Sequence, residues 1–165
     1  MVHASYIKDD SWYDIVRIEN VDKIETHFSK VESFIGSTSS EVYKAQMVIS
    51  VEQGFAYEVL RDGKYCGHIY NKVDGKDYIG CSLFVDNDIV TTVILFKTIF
   101  DIHKAVRLKF IPHNVDGLRN FVSIVTGESI RRWHSFGKPV EVRRRAVCHK
   151  GKKLYDYLRI QECLM

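Results

Sequence analysis

The 165-residue sequence predicts an α/β (α+β) fold: a mixed, largely antiparallel sheet flanked by helices. Three observations carry that prediction. Phe55–Leu60, Tyr65–Val73 and Asp77–Val85 are β-branched and aromatic runs, and Asp62-Gly63 and Asp74-Gly75 separate them. Asp-Gly between such runs signals a hairpin, because the tight turn needs positive φ at its centre. The pattern then changes period. Ile89, Val93, Phe96, Phe100 and His103 lie on or near one face of a helix, with Ile94, Ile99 and Ile102 widening it. Val106–Ile111 returns to alternation, the signature of a half-buried strand.

The remaining elements follow in chain order. Tyr13–Ile18 alternates weakly and suits a first strand. Val21, Ile24, Phe28, Val31 and Phe34 recur at three-to-four spacing, which predicts an amphipathic helix over 21–34. A polar loop follows, and Ser40 is placed to cap a second helix over 41–51. Val115–Val125 reads as a short helix closed by Thr126-Gly127, and Ser129–Trp133 with Val140–Cys148 as a final antiparallel pair. Leu154–Leu158 suits a short helix or a docked strand. The expectation is one domain over 1–165, with a core over about 12–148 and an extension over 149–165.

Composition excludes several classes. The 45% apolar and 12% aromatic content predicts a globular chain with a real core. No apolar run approaches the length of a membrane span, since Lys97 interrupts Val93–Phe96. The first residues lack the apolar centre of a signal peptide, and four dispersed cysteines suit reduced thiols. A cytoplasmic protein without a membrane partner is expected. The net charge of +3 conceals an asymmetry, because residues 131–153 hold nine Lys or Arg against one acid, Glu141.

The element order β-α-α-β-β-β-α-β-α-β-β resembles the GNAT N-acyltransferase superfamily, over residues 12–148. Three local matches accompany it. Phe55-Ala56-Tyr57-Glu58-Val59-Leu60-Arg61-Asp62-Gly63-Lys64-Tyr65-Cys66-Gly67-His68 looks like the family's second and third strands. Asn114 resembles the Asn that opens the fourth helix, and Thr126-Gly127 its closing glycine. The resemblance implies transfer of an acyl group from acetyl-CoA to an amine. Its cofactor contacts would fall on Ser82, Leu83 and Phe84 along the fourth strand, on Asn87, Val90, Thr91 and Thr92 at the following junction, and on Asn114. Two departures stand out. The family's Arg/Gln-x-x-Gly-x-Gly/Ala loop, whose backbone N–H groups cradle the pyrophosphate, is replaced by Asp86-Asn87-Asp88, and the tyrosine that serves as general acid falls at Phe121. The stretch Ser82–Asp88 also resembles small bacteriophage proteins with a degenerate GNAT-like fold, which implies a viral assembly or host-interaction role in a host cytoplasm.

The residues themselves offer limited chemistry. Glu58 and Glu41 are carboxylates that could act as a general base, and Tyr78 or Tyr70 could replace the missing acid. Cys66-Gly67-His68 and Cys148-His149 lack the spacing of a metal site, so no metal is expected. The cysteines, including a Cys81/His68 pairing, read as buried and inert. Arg131, Arg132, Trp133, Arg143 and Arg145 form a basic surface suited to an acidic protein partner or to nucleic acid. Three expectations follow: an acyl-CoA-dependent N-acyltransferase, a non-catalytic assembly or host-interaction protein on the same scaffold, and a nucleic-acid binder.

Overall fold

A computed structural model describes residues 2–34, 39–75, 77–86, 88–110, 130–131, 140–143, 148–149 and 152–163. The predicted helix over 115–125, Asn87, Asn114, Phe121, Arg132, Trp133, Arg144 and Arg145 lie outside these residues.

The chain begins with an element its sequence did not announce. β1 (Val2–Lys8) and β2 (Ser11–Arg17) form an antiparallel hairpin about Asp9-Asp10, with Asp9 at φ 54°. β1 escapes detection because Ser5, a polar residue, is as buried as Tyr6, its Oγ donating to Asp14 Oδ1 at 2.5 Å. Helix α1 (Lys23–Val31) buries Ile24, Phe28 and Val31 of the predicted stripe together with His27, whereas Val21 precedes the helix and is exposed; it ends in a 3₁₀ turn, Glu32–Phe34. Helix α2 (Ser40–Gln53) starts one residue earlier than expected: Ser39, extended at φ −61° and ψ 129°, holds the cap position, and its C-terminus is closed by Gly54 at φ 79°.

The meander follows as predicted. β3 (Ala56–Arg61), β4 (Lys64–Asp74) and β5 (Asp77–Val85) are successive antiparallel neighbours, and the first turn carries positive φ at both Asp62 (52°) and Gly63 (82°). Helix α3 (Ile89–Lys97) runs into a π-helical turn, Thr98–Ile102, and leads to β6 (Arg107–Phe110), which pairs parallel with β5. β7 (Ile130–Arg131) and β8 (Val140–Arg143) close that side. The last segment holds a small hairpin of β9 (Cys148–His149) and β10 (Lys152–Lys153), a turn of helix α4 (Leu154–Tyr157) and β11 (Gln161–Cys163). The tail at 154–158 is therefore the short helix of the two expectations, and the strand that docks on β1 follows it at Gln161–Cys163. Nine described strands make one sheet in the order β11-β1-β2-β3-β4-β5-β6-β8-β7.

Alternation along the strands divides the interior between two faces. Ala56 and Tyr70 pack with Phe28, Val31, Tyr43 and Met47 of α1 and α2. Tyr57, Val59, Ile69, Leu83 and Val85 pack with Val93, Leu95 and Phe96 of α3. Helix α3 is apolar all round, and from Val90 to Lys97 every residue is buried. That composition is what a helix needs when it is covered on both sides. Here the sheet covers one side and the chain's last segment the other, through Ile160 and Tyr155. Lys97 is buried within that contact. Its ammonium lies 3.4 Å from the Tyr6 hydroxyl, 4.9 Å from the Tyr155 ring centre and 3.6 Å from Glu162.

Gly67 sets how closely α3 approaches the sheet. A Cβ there would lie 2.8 Å from the Phe84 carbonyl oxygen and 2.8 Å from Thr91 Cγ2, so the first turn of α3 would have to lift away. Gly67→Ala is expected to cost about 1–3 kcal/mol, the usual range for overpacking a filled interior. Urea unfolding measures it, and a change within error of zero would show that α3 can shift freely.

Candidate functional site

Only three residues, 86–88, join β5 to α3, and the structure shows how that short connection satisfies itself. The Asp86 N–H donates to the Cys66 carbonyl at 3.0 Å, and the Asp88 N–H to Asp86 Oδ1 at 3.1 Å. The Val90 N–H donates to Asp88 Oδ1 at 3.0 Å, and the Thr91 N–H to the Asp88 carbonyl at 3.1 Å. Asp88 is thus the N-cap of α3, where a carboxylate meets both free donors and the positive end of the helix dipole. Its second oxygen is held from outside the helix. Arg61 Nη1 donates to Asp88 Oδ2 at 2.8 Å, and the Tyr13 hydroxyl donates to the same atom. Arg61 also lies 3.9 Å from Asp86, whose carboxyl is pushed up by burial.

A bound pyrophosphate would need free backbone donors and cationic charge at this helix end. The described donors at 86, 88, 90 and 91 are engaged within the chain, and Arg61 already faces two carboxylates. At these four described positions the junction offers a pyrophosphate no free backbone donor. Nor are the side chains of Val90, Thr91 and Thr92 open to a ligand, since all three are buried and Thr91 Oγ1 lies 3.4 Å from Cys66 Sγ.

The neighbouring strand keeps one feature suited to an extended ligand. β5 pairs with β6 only from Asp77 to Gly80, and its next residue, Cys81, is the extra residue of a bulge against β4. A bulge bends its strand. From Cys81 to Val85 the β6 side of β5 is unpaired among the described residues. Of the side chains predicted there, Ser82 is buried against His68, Leu83 lies in the α3-side core, and Phe84 reaches the surface beside Tyr65.

Glu58 sits apart from this edge, in a polar network under α1. His27 Nε2 is 2.7 Å from Glu58 Oε2, Lys23 Nζ donates to Oε1 at 3.2 Å, and the other His27 nitrogen meets the Tyr70 hydroxyl at 2.5 Å. Burial raises the Glu58 carboxyl, but hydrogen bonds and charge from His27 and Lys23 outweigh it and hold it below its ordinary range. A second chain lies alongside: Tyr65 hydroxyl to His68 Nδ1 at 2.7 Å, and His68 Nε2 to Ser82 Oγ at 2.8 Å. Burial drives the His68 imidazole well down, so it stays neutral at pH 7. The His27 and His68 rings lie 5.0 Å apart.

The other predicted residues are dispersed. Glu41 is exposed in the first turn of α2. Tyr78 is buried on the α3 side, where its hydroxyl donates to the His103 carbonyl at 3.3 Å. It is seven residues from Val85 along β5, roughly 24 Å at the strand rise. Cys66 and His68, which equal spacing would put on one face, are on opposite faces, because Cys66 is the extra residue of a bulge between Val59 and Leu60. The Cys66 thiol is pushed up to about 12 by burial, which makes it inert. Among the described residues no group of three or more His, Cys, Asp or Glu is placed to hold a metal ion, and no helix is long and apolar enough to cross a membrane. Register places Arg143 opposite Arg107, and Arg131 opposite Glu141, which faces Lys109. On β6, Arg107 and Lys109 both pair with Asp77 of β5, at 2.7 and 3.0 Å, while Leu108 between them is buried. His27, Arg61 and Tyr13 were missed as site residues. Only Asp88 carried a local signal, an Asp directly before an apolar helix.

Several solved structures that this chain resembles are acetyltransferases. The PaiA N-acetyltransferase of Thermoplasma acidophilum, solved in complex with coenzyme A, superposes with a TM-score of 0.51 at 12% identity, over 79% of this chain and 98% of that one. A GNAT-family acetyltransferase from Bacillus anthracis matches at 16% identity (TM-score 0.47, 84% and 95% covered), and one from Staphylococcus aureus Mu50 at 10% (TM-score 0.48, 79% and 98%). No protein-family model matches the sequence, and neither does any curated protein. The chain has the GNAT fold: β2 to β8, in the order β2-β3-β4-β5-β6-β8-β7, are a mostly antiparallel seven-strand sheet flanked by helices.

Two outcomes follow from the site's geometry. Asp88→Ala removes the cap and the Arg61 contact, and is expected to lower stability by about 1–2 kcal/mol in chemical denaturation, the upper half of the range for lost caps. Glu58→Gln is expected to cost about 1–3 kcal/mol, the desolvation penalty of buried groups left poorly paired. The Glu58 contribution is present above the ordinary glutamate value of about 4.3 and is lost as pH falls through the lower folded value. The acid limb of the stability profile should therefore flatten in Glu58→Gln and persist in Glu41→Gln.

Proposed function

We propose that the chain is a binding protein on a GNAT scaffold, which does not depend on acyl-CoA turnover. The observation that supports this reading is the Asp88 carboxylate at the N-terminus of α3, held by Arg61 and Tyr13 in the place where an acyl-CoA pyrophosphate would be cradled. The partner is a protein with an acidic surface. Its contact is the basic end of the chain, residues 131–153, where nine Lys or Arg stand against one acid and which includes Arg131 of β7 and Arg143 of β8. The resemblance of Ser82–Asp88 to phage proteins of degenerate GNAT-like fold is what suggests a virion or host protein as that partner.

A second reading, an acetyl-CoA-dependent N-acyltransferase, is favoured by a different observation. β5 parts from β6 after Gly80, and the unpaired edge from Cys81 to Val85 could run beside a pantetheine arm. The likeness to acetyltransferase folds supports the scaffold for this reading, and Glu58 with His27 is its candidate base.

Thermal unfolding with acetyl-CoA separates the two. A ligand at a hundred times its dissociation constant adds about 2.7 kcal/mol. No change in midpoint at millimolar acetyl-CoA is expected. A concentration-dependent rise that persists when Lys30 and Lys64 are both replaced by alanine would sink the binding-protein reading and favour the enzyme.

A further inference from the structure

We infer that a pocket at the end of the sheet, beneath the C-terminal turn of α1, takes a mononucleotide-sized ligand: one phosphate carried on a flat ring. The inference goes beyond the function proposed above, although the pocket shares Arg61 and Asp86 with the junction on which that reading rests.

The pocket has a volume of about 490 Å³, within the span of small-molecule sites. Its aromatic wall is Tyr65 and Phe84, whose stacked rings lie 21° from parallel with centres 6.1 Å apart. That wall is fixed before any ligand arrives. The Tyr65 hydroxyl is tied to His68 at 2.7 Å, His68 is tied to Ser82 at 2.8 Å, and the Tyr65 ring stacks on buried His27 at 5.3 Å. A rigid aromatic wall lowers the ordering cost of binding.

The charges around the wall are unequally engaged. Each acid of the lining accepts one backbone N–H: Asp62 Oδ1 from Trp12 at 2.9 Å, and Asp86 Oδ1 from Asp88 at 3.1 Å. Arg61 is committed to Asp88. Lys30 and Lys64 are exposed and have no carboxylate within ion-pair distance among the described residues. Lys30 Nζ stands 5.4 Å from the centre of the Tyr65 ring. The open valences of the pocket are thus two ammonium groups beside an aromatic surface. A phosphate monoester meets the ammoniums as a charge-assisted acceptor, and a planar base meets the wall by stacking. An isolated inorganic anion would leave the aromatic surface uncovered, and an uncharged ring would leave the lysines unmet.

Titration calorimetry of the full chain at low salt, with AMP, adenosine and inorganic phosphate as separate probes, tests this. AMP should bind more tightly than either fragment. Lys30→Ala/Lys64→Ala should weaken AMP by about tenfold or more, the loss of charge-assisted hydrogen bonds, while adenosine is unchanged. Both lysines are exposed, and circular dichroism checks that the variant keeps its fold. Absence of AMP binding, equal binding of AMP and phosphate, or AMP binding indifferent to the double substitution would each overturn the proposal. Coenzyme A carries its own adenine nucleotide, so the acetyl-CoA melt is repeated on the double variant. A shift that survives belongs to the acyltransferase reading, and one that vanishes belongs to this pocket.

Discussion

Asp88 joins three parts of the molecule through one carboxylate. It caps α3 through the Val90 N–H, and its second oxygen takes Arg61 from β3 and Tyr13 from β2. Because α3 is the helix that fills the larger core, the angle at which it leaves β5 decides how Val93, Leu95 and Phe96 meet the sheet. Gly67 allows the close approach and Asp88 holds it. Removing either would disturb the same contact, one by crowding and the other by freeing the helix end. A carboxylate in this position also answers the helix dipole from within the chain, so no external anion is needed to neutralise it.

The buried polar residues under α1 obey a different constraint. Glu58, His27 and Lys23 are an acid and two bases, and burying them is tolerable only because each meets a partner. Lys23 is the one member that reaches water, with a side chain 56% exposed. The network is a costly way to fill space that apolar side chains could fill. Its neighbour, the Tyr65–His68–Ser82 chain, carries no charge at neutral pH and holds an aromatic wall in place. The site candidates thus divide into a closed junction, a charged but covered network, and an open pocket with a rigid wall.

Much of the fold was legible because it depended on local signals. The two Asp-Gly pairs, the 3.6-residue stripe of α1 and the apolar length of α3 each encode one element without reference to the others, and each stands close to where the periodicity put it. β1 was not legible, since its burial of Ser5 depends on an Asp14 partner nine residues away. The bulges at Cys66 and Cys81 were not legible either. A one-residue slip in a strand has no composition of its own, yet it turned Cys66 and His68 to opposite faces. Among the candidate residues, Glu58 was visible as a carboxylate, but its burial against His27 was not, because the two are 31 positions apart.

The sequence alone settled that Asp86-Asn87-Asp88 puts acids, and no glycine, before an apolar helix. That is a statement about residue types, and composition can carry it. Like charges at close range repel, so the acids by themselves oppose a bound phosphate. Only the tertiary structure decided that Asp88 itself is bound, by donors of α3 and by side chains of two strands far away in the chain. Charge is a property of a residue, whereas its neutralisation is a property of what folding brings within about 3 Å of it.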